Sequence, residues 1–464
     1  MSDQTSKLNY QHAIELLKLC RRSFPSISAA MMLPIPAWAP NIATLKGVPS
    51  LEGMKDWLLR LGHETKDIDD LNVIHVVGTK GKGSTCAYVD SFLREHATRN
   101  GINRKIGLYT SPSLWPRNRI RIDSKPLPED IFAKRFFEVY TGLSLDGDTS
   151  SSKTPGFLQM VAIVAFHTFI KEGADVVICE AHHGGEFDAT NIFSRPAITA
   201  VTKISLDHVD SLGTTIRSIA WHKSGIFRAG VLVLSVRQDP EAEDEIKRRA
   251  KEKGALLHFV ENVTIEGLIL EQRENCALAR RIADEFLHHS LDEQDVAAGI
   301  RKCRWPGRFD IVDYGGCTWY LDGAHNETSM KVVGEWYERV AGASSHRVLI
   351  FAHFSPKRTR DWRTILKTLG TSLQMRIQHV IFVKQIEYDG HFTTPAGLLE
   401  DYAEFWRESS SPKSTHMASS VKDGIDLAKQ FGMGAQILVT GSLYLVEAAL
   451  EIVKNDSIQN LPDL

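Results

Sequence analysis

The chain has 464 residues, more than one compact domain holds; about two or three domains would be usual. It is 43% hydrophobic and 24% charged, the balance of a globular protein with a sizeable core. Its formal net charge of -2 gives no long-range attraction toward nucleic acid or an anionic membrane, so neither is expected as a partner.

The amino terminus, MSDQTSKLNYQHAIELL, lacks the apolar block of a secretory signal. An early acidic residue argues against a mitochondrial leader, although that address stays open beside a cytoplasmic one. After an N-terminal helix, residues 23–50 are rich in proline and apolar groups with little period and read as a flap. The runs "NVIHVV" (72–77), "ADVVICE" (174–180), "AITAVTKI" (197–204) and "VLVLSV" (231–236) are short, β-branched and free of period-2 alternation. Such runs suit strands buried on both faces of a parallel sheet. Between them, Cys86, Val89 and Leu93 recur at helical spacing, residues 157–170 are apolar nearly all round, and 141–155 has loop composition. From about 308 the pattern restarts on a smaller scale, with strands in "RVLIFAHF", "HVIFVKQ" and "QILVTGSL". A helix is expected to begin at Thr394-Pro395, a cap followed by proline. The reading is α/β in two domains, 1–307 and 308–464, joined near "RWPGR". The six cysteines are scattered with no CxxC pair, as for reduced thiols in a cytosolic-type compartment. No apolar run approaches the roughly 20 residues that span a bilayer.

In "VIHVVGTKGKGST" (73–85) a buried-looking strand ends in a glycine-rich turn, and a helix opens at hydroxyl residues. Gly78, Thr79, Gly81, Lys82, Gly83 and Ser84 would point backbone N–H groups and a helix N-terminus at one spot, which favours bound phosphate. Lys82 can then reach the β- and γ-phosphates of ATP, and Ser84 can hold Mg²⁺. Gly83 separates lysine from serine, a departure from plain GxxxxGK[ST].

A second stretch, "EAHHGGEFDATN" (180–191), sets two adjacent histidines between Glu180 and Asp188. Adjacent residues on an extended strand face opposite ways, so His182 and His183 are not expected to chelate one ion. A zinc site would also want three or four ligands in closed geometry, and no Cys or second His pair has suitable spacing.

The form G-T-K-G-K-G-S-T resembles the folylpolyglutamate synthases, within the Mur-ligase-like ATP-dependent amide ligases. The resemblance continues through "LYTSPSL" (108–114), "RIRIDSKPL", "EAHHGGEFDATN", "SLDHVDSLGTTIRSIAWHKSGIF", "RWPGR", "YLDGAHN" and "VTGSLYLV". It implies a P-loop Mur-ligase-like domain plus a smaller Rossmann-like domain, with catalysis in the cleft between. It implies ATP and two Mg²⁺ ions, a folate carboxylate acceptor and L-glutamate, and an acyl-phosphate intermediate. A monomer is expected. By resemblance, Ser84, Ser111 and Glu180 surround the first Mg²⁺, while His208 and Lys223 match the second, Lys223 as a carbamate. Lys82, Glu180, His208 and Lys223 form the catalytic set. Asn275, Arg308 and Asp322 belong to the ATP side; Arg119, His325 and Ser442 belong with the substrates.

Alone, each residue has a plainer explanation: Glu180 a capping carboxylate, His208 a turn residue, Lys223 a solvated lysine, Ser442 a helix cap. Motif order and company reverse this. Departures gather on the acceptor side. His182 and His183 stand where the family has small or aliphatic residues, Ser113 replaces a histidine, and the glutamate before Arg119 is missing. The leading expectation is a folylpolyglutamate synthase, with His182 and His183 reshaping the acceptor pocket. The alternatives are a ligase joining an amine to a non-folate carboxylic acid and a non-catalytic nucleotide-binding protein. Retention of Lys82, Glu180, His208 and Lys223 speaks against the last.

Overall fold

The unalternating β-branched runs of the first half become the middle of an eight-stranded sheet. The computed structural model describes residues 9–20, 51–145, 154–261, 265, 268–341, 346–353, 361–374, 376–384, 394–409, 412 and 414–459. The expected flap at 23–50, and residues 146–153 of the expected 141–155 loop, lie outside these. The chain divides into two compact units, 1–303 and 304–464.

The strands of the first unit are β1 (Ile74–Val77), β2 (Ile106–Tyr109), β3 (Ile120–Ile122), β4 (Lys125–Pro126), β5 (Val176–Glu180), β6 (Ile198–Val201), β7 (Leu232–Val236) and β8 (Leu256–Val260). Their order is β4-β3-β2-β5-β1-β6-β7-β8, and only the β2–β3 and β3–β4 pairs are antiparallel. Every residue of β1, β2, β5 and β6 is buried, as their composition demands. The chain leaves β1 for β2 on one side and reaches β6 on the other. The carboxyl end of β1 is therefore a switch point, where open parallel sheets leave a crevice for ligands.

One face of this sheet is covered by the helices Tyr10–Leu19, Met54–Arg60, Glu129–Gly142 and Phe157–Glu172. The last is buried without a break from Gln159 to Phe169, which explains why its sequence is apolar all round. Phe166 and Phe169 are fully enclosed, each contributing about 1.5–3 kcal/mol by the transfer of apolar surface from water. A second cluster, including Ile219, Ala220, Ala242 and Ile246 of the helices Ile216–Lys223 and Pro240–Lys253, continues on the same face against Val77, Val201 and Val233. The helices Lys82–Arg99 and Leu270–Leu287 pack against the opposite face.

The second unit holds β9 (Asp310–Tyr314), β10 (Cys317–Leu321), β11 (Arg347–Phe351), β12 (His379–Val383), β13 (Ser414–Ala418) and β14 (Gln436–Thr440). Their order is β13-β12-β11-β14-β10-β9, parallel except for the β9–β10 hairpin. The helix expected from Thr394-Pro395 begins instead at Leu398. Gly397 has φ +80°, a left-handed conformation that breaks the helical path between the proline and the helix. No described helix is long and apolar enough to cross a membrane.

Candidate active site

The site of the first unit grows from the end of β1. Gly78 (φ +148°) and Gly81 (φ +85°) both need conformations that side chains avoid, and both are crowded. A Cβ on Gly78 would lie 1.8 Å from Thr202 Oγ1, and one on Gly81 2.0 Å from Asn275 Oδ1. The N–H groups of Thr79 and Lys80 both bond the carbonyl of Lys203, at 3.0 and 3.2 Å, which ties the turn to the end of β6. The helix Lys82–Arg99 follows with Gly81 at its N-cap and no side chain capping it. Its first amides are therefore directed at whatever binds there, and the helix dipole favours an anion.

Glu180, the last residue of β5, is 4% exposed and faces this turn. Its Oε1 lies 3.6 Å from Lys82 Nζ, and its Oε2 accepts the Ser111 N–H at 3.1 Å. Arg119, buried, donates to Ser111 Oγ at 3.4 Å and to the Ser113 carbonyl at 2.9 Å. The carboxylate of Glu180 and the hydroxyls of Ser84 and Ser111 are hard oxygen donors, a chemistry that fits Mg²⁺.

Lys223 arrives from the opposite direction, as the last residue of a helix that Thr215 caps by accepting the Ser218 N–H at 3.1 Å. Its ammonium end is buried and donates to the carbonyls of Gly78 (2.8 Å) and His183 (3.0 Å). Burial, then the charge of Lys82, lowers its pKa to about 7. The helix end carrying it sits against bare backbone. A Cβ on Gly185 would lie 2.4 Å from the His222 carbonyl and 2.5 Å from that of Lys223. This is why position 185 is glycine.

The two histidines part company in the bend that follows β5. His182 turns into the interior. Its side chain is 0% exposed, and Nε2 hydrogen-bonds Tyr109 Oη at 2.7 Å. Its Nδ1 lies 3.4 Å from Asp188, and burial depresses its pKa to about 4. His182, expected to reshape the acceptor side, thus has its ring enclosed between Tyr109 and Asp188. His183 is half-buried, and its ring centre lies 4.4 Å from that of His208. Asp188 fastens the loop between them. It accepts the N–H groups of His183 (3.1 Å) and Gly184 (3.3 Å), and the N–H (3.1 Å) and hydroxyl (2.8 Å) of Thr190. Burial opposes its charge, but the neighbouring His182 ring and these donors hold its pKa below the ordinary carboxylate range. His208 has φ +50° and accepts solvent on 38% of its side chain; its N–H bonds Asp207 Oδ1 at 2.9 Å.

The second unit gathers the other expected residues around the ends of β10 and β14. Asp322, after β10, accepts the N–H groups of Phe309 (3.0 Å) and Ala324 (2.9 Å). Burial raises its pKa to about 6, against the opposing charge of Arg308. His325 Nδ1 hydrogen-bonds the Gly323 carbonyl at 2.9 Å. Gly441, beside the buried Ser442, donates its N–H to the Ala324 carbonyl at 3.1 Å, which joins the two strand ends.

Residues 307–443 match the Mur ligase, glutamate ligase domain family. The chain is 32% identical to the folylpolyglutamate synthase of Neurospora crassa, over 97% of its own length and 92% of that protein. The chain belongs to the folylpolyglutamate synthase family. It is also 32% identical to the folylpolyglutamate synthase of Saccharomyces cerevisiae, over 88% of this chain and 82% of that one. Among solved structures, Mycobacterium tuberculosis folylpolyglutamate synthase complexed with ADP superposes with a TM-score of 0.75 at 22% identity, covering 97% of this chain and 99% of that one. E. coli FolC in complex with DHPP and ADP gives 0.73 at 23% identity, over 97% and 98%. The folylpolyglutamate synthase fold is thereby shared.

For a member of this family, the first unit brings Gly78 to Ser84, Ser111, Glu180, His183 and Lys223 together, with Asn275 directly over Gly81. Arg308, Asp322, His325 and Ser442 gather in the second unit. Reasoning from sequence passed over Tyr109, which partners His182, and Asp207, which holds the His208 backbone. Tyr109 carried a usable signal, since a buried phenol at a strand end needs a partner.

Proposed function

We propose that this enzyme is an ATP-dependent carboxylate–amine ligase that adds L-glutamate to the γ-carboxylate of a reduced folate. The observation carrying this reading is the convergence of Lys82, Glu180 and buried Lys223 on one uncapped, glycine-built helix N-terminus. In the proposed reaction, a folate carboxylate oxygen attacks the γ-phosphorus of ATP and ADP leaves. The glutamate amine then displaces phosphate from the acyl phosphate, forming the amide. Phosphoryl transfer needs positioning and neutralised charge rather than a protein nucleophile.

The turn amides and Lys82 bind and orient the triphosphate, and Asn275 packs over the turn. By the family resemblance, Arg308 and Asp322 are assigned to ATP and His325 and Ser442 to the incoming glutamate. Ser84, Ser111 and Glu180 would hold one Mg²⁺, with His208 and Lys223 at a second. Bound there, the cations neutralise developing phosphate charge. Lys223 would serve as a carbamate. A buried amine depressed to about 7 is partly neutral near neutral pH, the form that reacts with CO₂. With His182 enclosed, the case for a non-folate acceptor loses one of its supports, and folate remains the leading acceptor.

The test is incorporation of glutamate into tetrahydrofolate by purified protein with ATP, beside a panel of other carboxylic acids. Micromolar folate turned over efficiently supports the assignment. ATP hydrolysis stimulated only by a non-folate acid would replace it.

A further inference from the structure

We infer that His183 supplies a ring nitrogen, beside that of His208, to the divalent cation that accompanies the nucleotide, and biases this position toward a transition-metal ion over Mg²⁺. The inference rests on the ATP-dependent ligase reading above. The ring centres of His183 and His208 are 4.4 Å apart with their planes at 51°. A metal–imidazole bond of about 2.1 Å puts the ring centre about 1.1 Å further out, so two rings on one ion at near a right angle have centres about 4.5 Å apart.

The His183 main chain is held at both of its polar groups. Asp188 takes its N–H at 3.1 Å, while Lys223 donates to its carbonyl at 3.0 Å. His208 has its N–H on Asp207 Oδ1, and its Nε2 lies 3.9 Å from the same carboxylate. His182 takes no part, being turned to Tyr109 and Asp188. Among the described residues no three chelating side chains converge, so the protein alone builds no closed resident site. Two imidazoles would share the ion with triphosphate oxygens and water. Mg²⁺ prefers oxygen ligands, whereas affinity for nitrogen donors rises along the first-row transition ions, weakest for Mn²⁺ and stronger for Co²⁺ and Zn²⁺. Each nitrogen added therefore tilts the choice away from Mg²⁺.

The experiment measures Mn²⁺ binding by electron paramagnetic resonance, with Mg²⁺ as competitor, on full-length protein saturated with a non-hydrolysable ATP analogue. Wild type is compared with His183→Leu and His183→Gln. The expected result is a fall of at least about tenfold in the Mn²⁺-over-Mg²⁺ preference in His183→Leu, as losses of metal-site groups produce. Pulsed spectra of the wild type should show nitrogen couplings from two imidazoles, reduced to one in both variants. Coupling from a single imidazole in the wild type overturns the inference without reference to any variant. Analogue binding with an unchanged metal preference in the variants overturns it as well, and leaves the ligase reading standing. Failure of the wild type to bind the analogue would overturn both.

Discussion

Replacing Lys223 with methionine should change how stability depends on pH, beyond any loss of activity. The lysine donates to two carbonyls, of Gly78 and His183, at 2.8 and 3.0 Å. Lys223→Met strips both of their donor, at about 1–3 kcal/mol each, and that cost does not vary with pH. The charge term does vary. The fold lowers this amine from 10.5 to about 7, so the folded state resists the proton that the unfolded chain binds readily. The penalty is full below about pH 7 and is relieved as pH rises toward about 10.5, at about 1.4 kcal/mol per pH unit. From about pH 7 to about pH 9 the wild type should therefore gain about 2–3 kcal/mol over Lys223→Met. Urea unfolding of both proteins across that range, in CO₂-free buffer without nucleotide, measures the difference. Parallel stability curves, or a gap moving the other way, would refute the claim that the fold holds a reluctant ammonium at this position.

Glu180→Ala and His208→Ala should each lower kcat at least about 10²-fold in the ATP-dependent ligation assay, as loss of a group serving transition-state charge does; near-normal rates in both would remove the proposed cation positions. Lys223→Ala should be inactive yet partly restored by a short carboxylic acid in the buffer, and a fully active variant would exclude the carbamate. Tyr109→Phe leaves the enclosed His182 Nε2 without its partner, so thermal denaturation should show a loss of about 1–3 kcal/mol. Gly185→Ala places a methyl against the His222 and Lys223 carbonyls, and should cost about 1–3 kcal/mol in the same measurement, with glutamate incorporation falling alongside.

The central strands were legible because their burial on both faces leaves an unbroken β-branched signature. β2 was not: "IGLY" is four residues with a glycine, which a Cβ at Gly107 would press 2.7 Å from the Phe169 ring. β3 and β4 are too short to show a period, and no residue of β8 is buried deeply enough to read as core. The misplaced start of the Leu398–Ser409 helix has a local cause. Proline signals a first helical turn, but the glycine two residues on takes a left-handed conformation. Within the site, Lys82 and Glu180 could be read from contiguous motifs. The interior turn of His182 could not, because it depends on Tyr109 of a neighbouring strand and Asp188 of the following loop, contacts that no spacing rule encodes.

The cover that Asn275 makes over Gly81 has a consequence for biogenesis. Asn275 accepts from the Thr85 hydroxyl at 3.4 Å across 190 residues of chain, and its helix packs along Lys82–Arg99. At about 5–20 residues per second, translation leaves the glycine turn without that cover for about 10–40 s. During this interval the apolar flank of the helix that begins at Lys82 stands open, and Phe92 still lacks Gly299, which the finished fold seats against its ring. Nascent chains stalled before 275 should thus engage chaperones that hold exposed apolar helices, and those released after 303 should not.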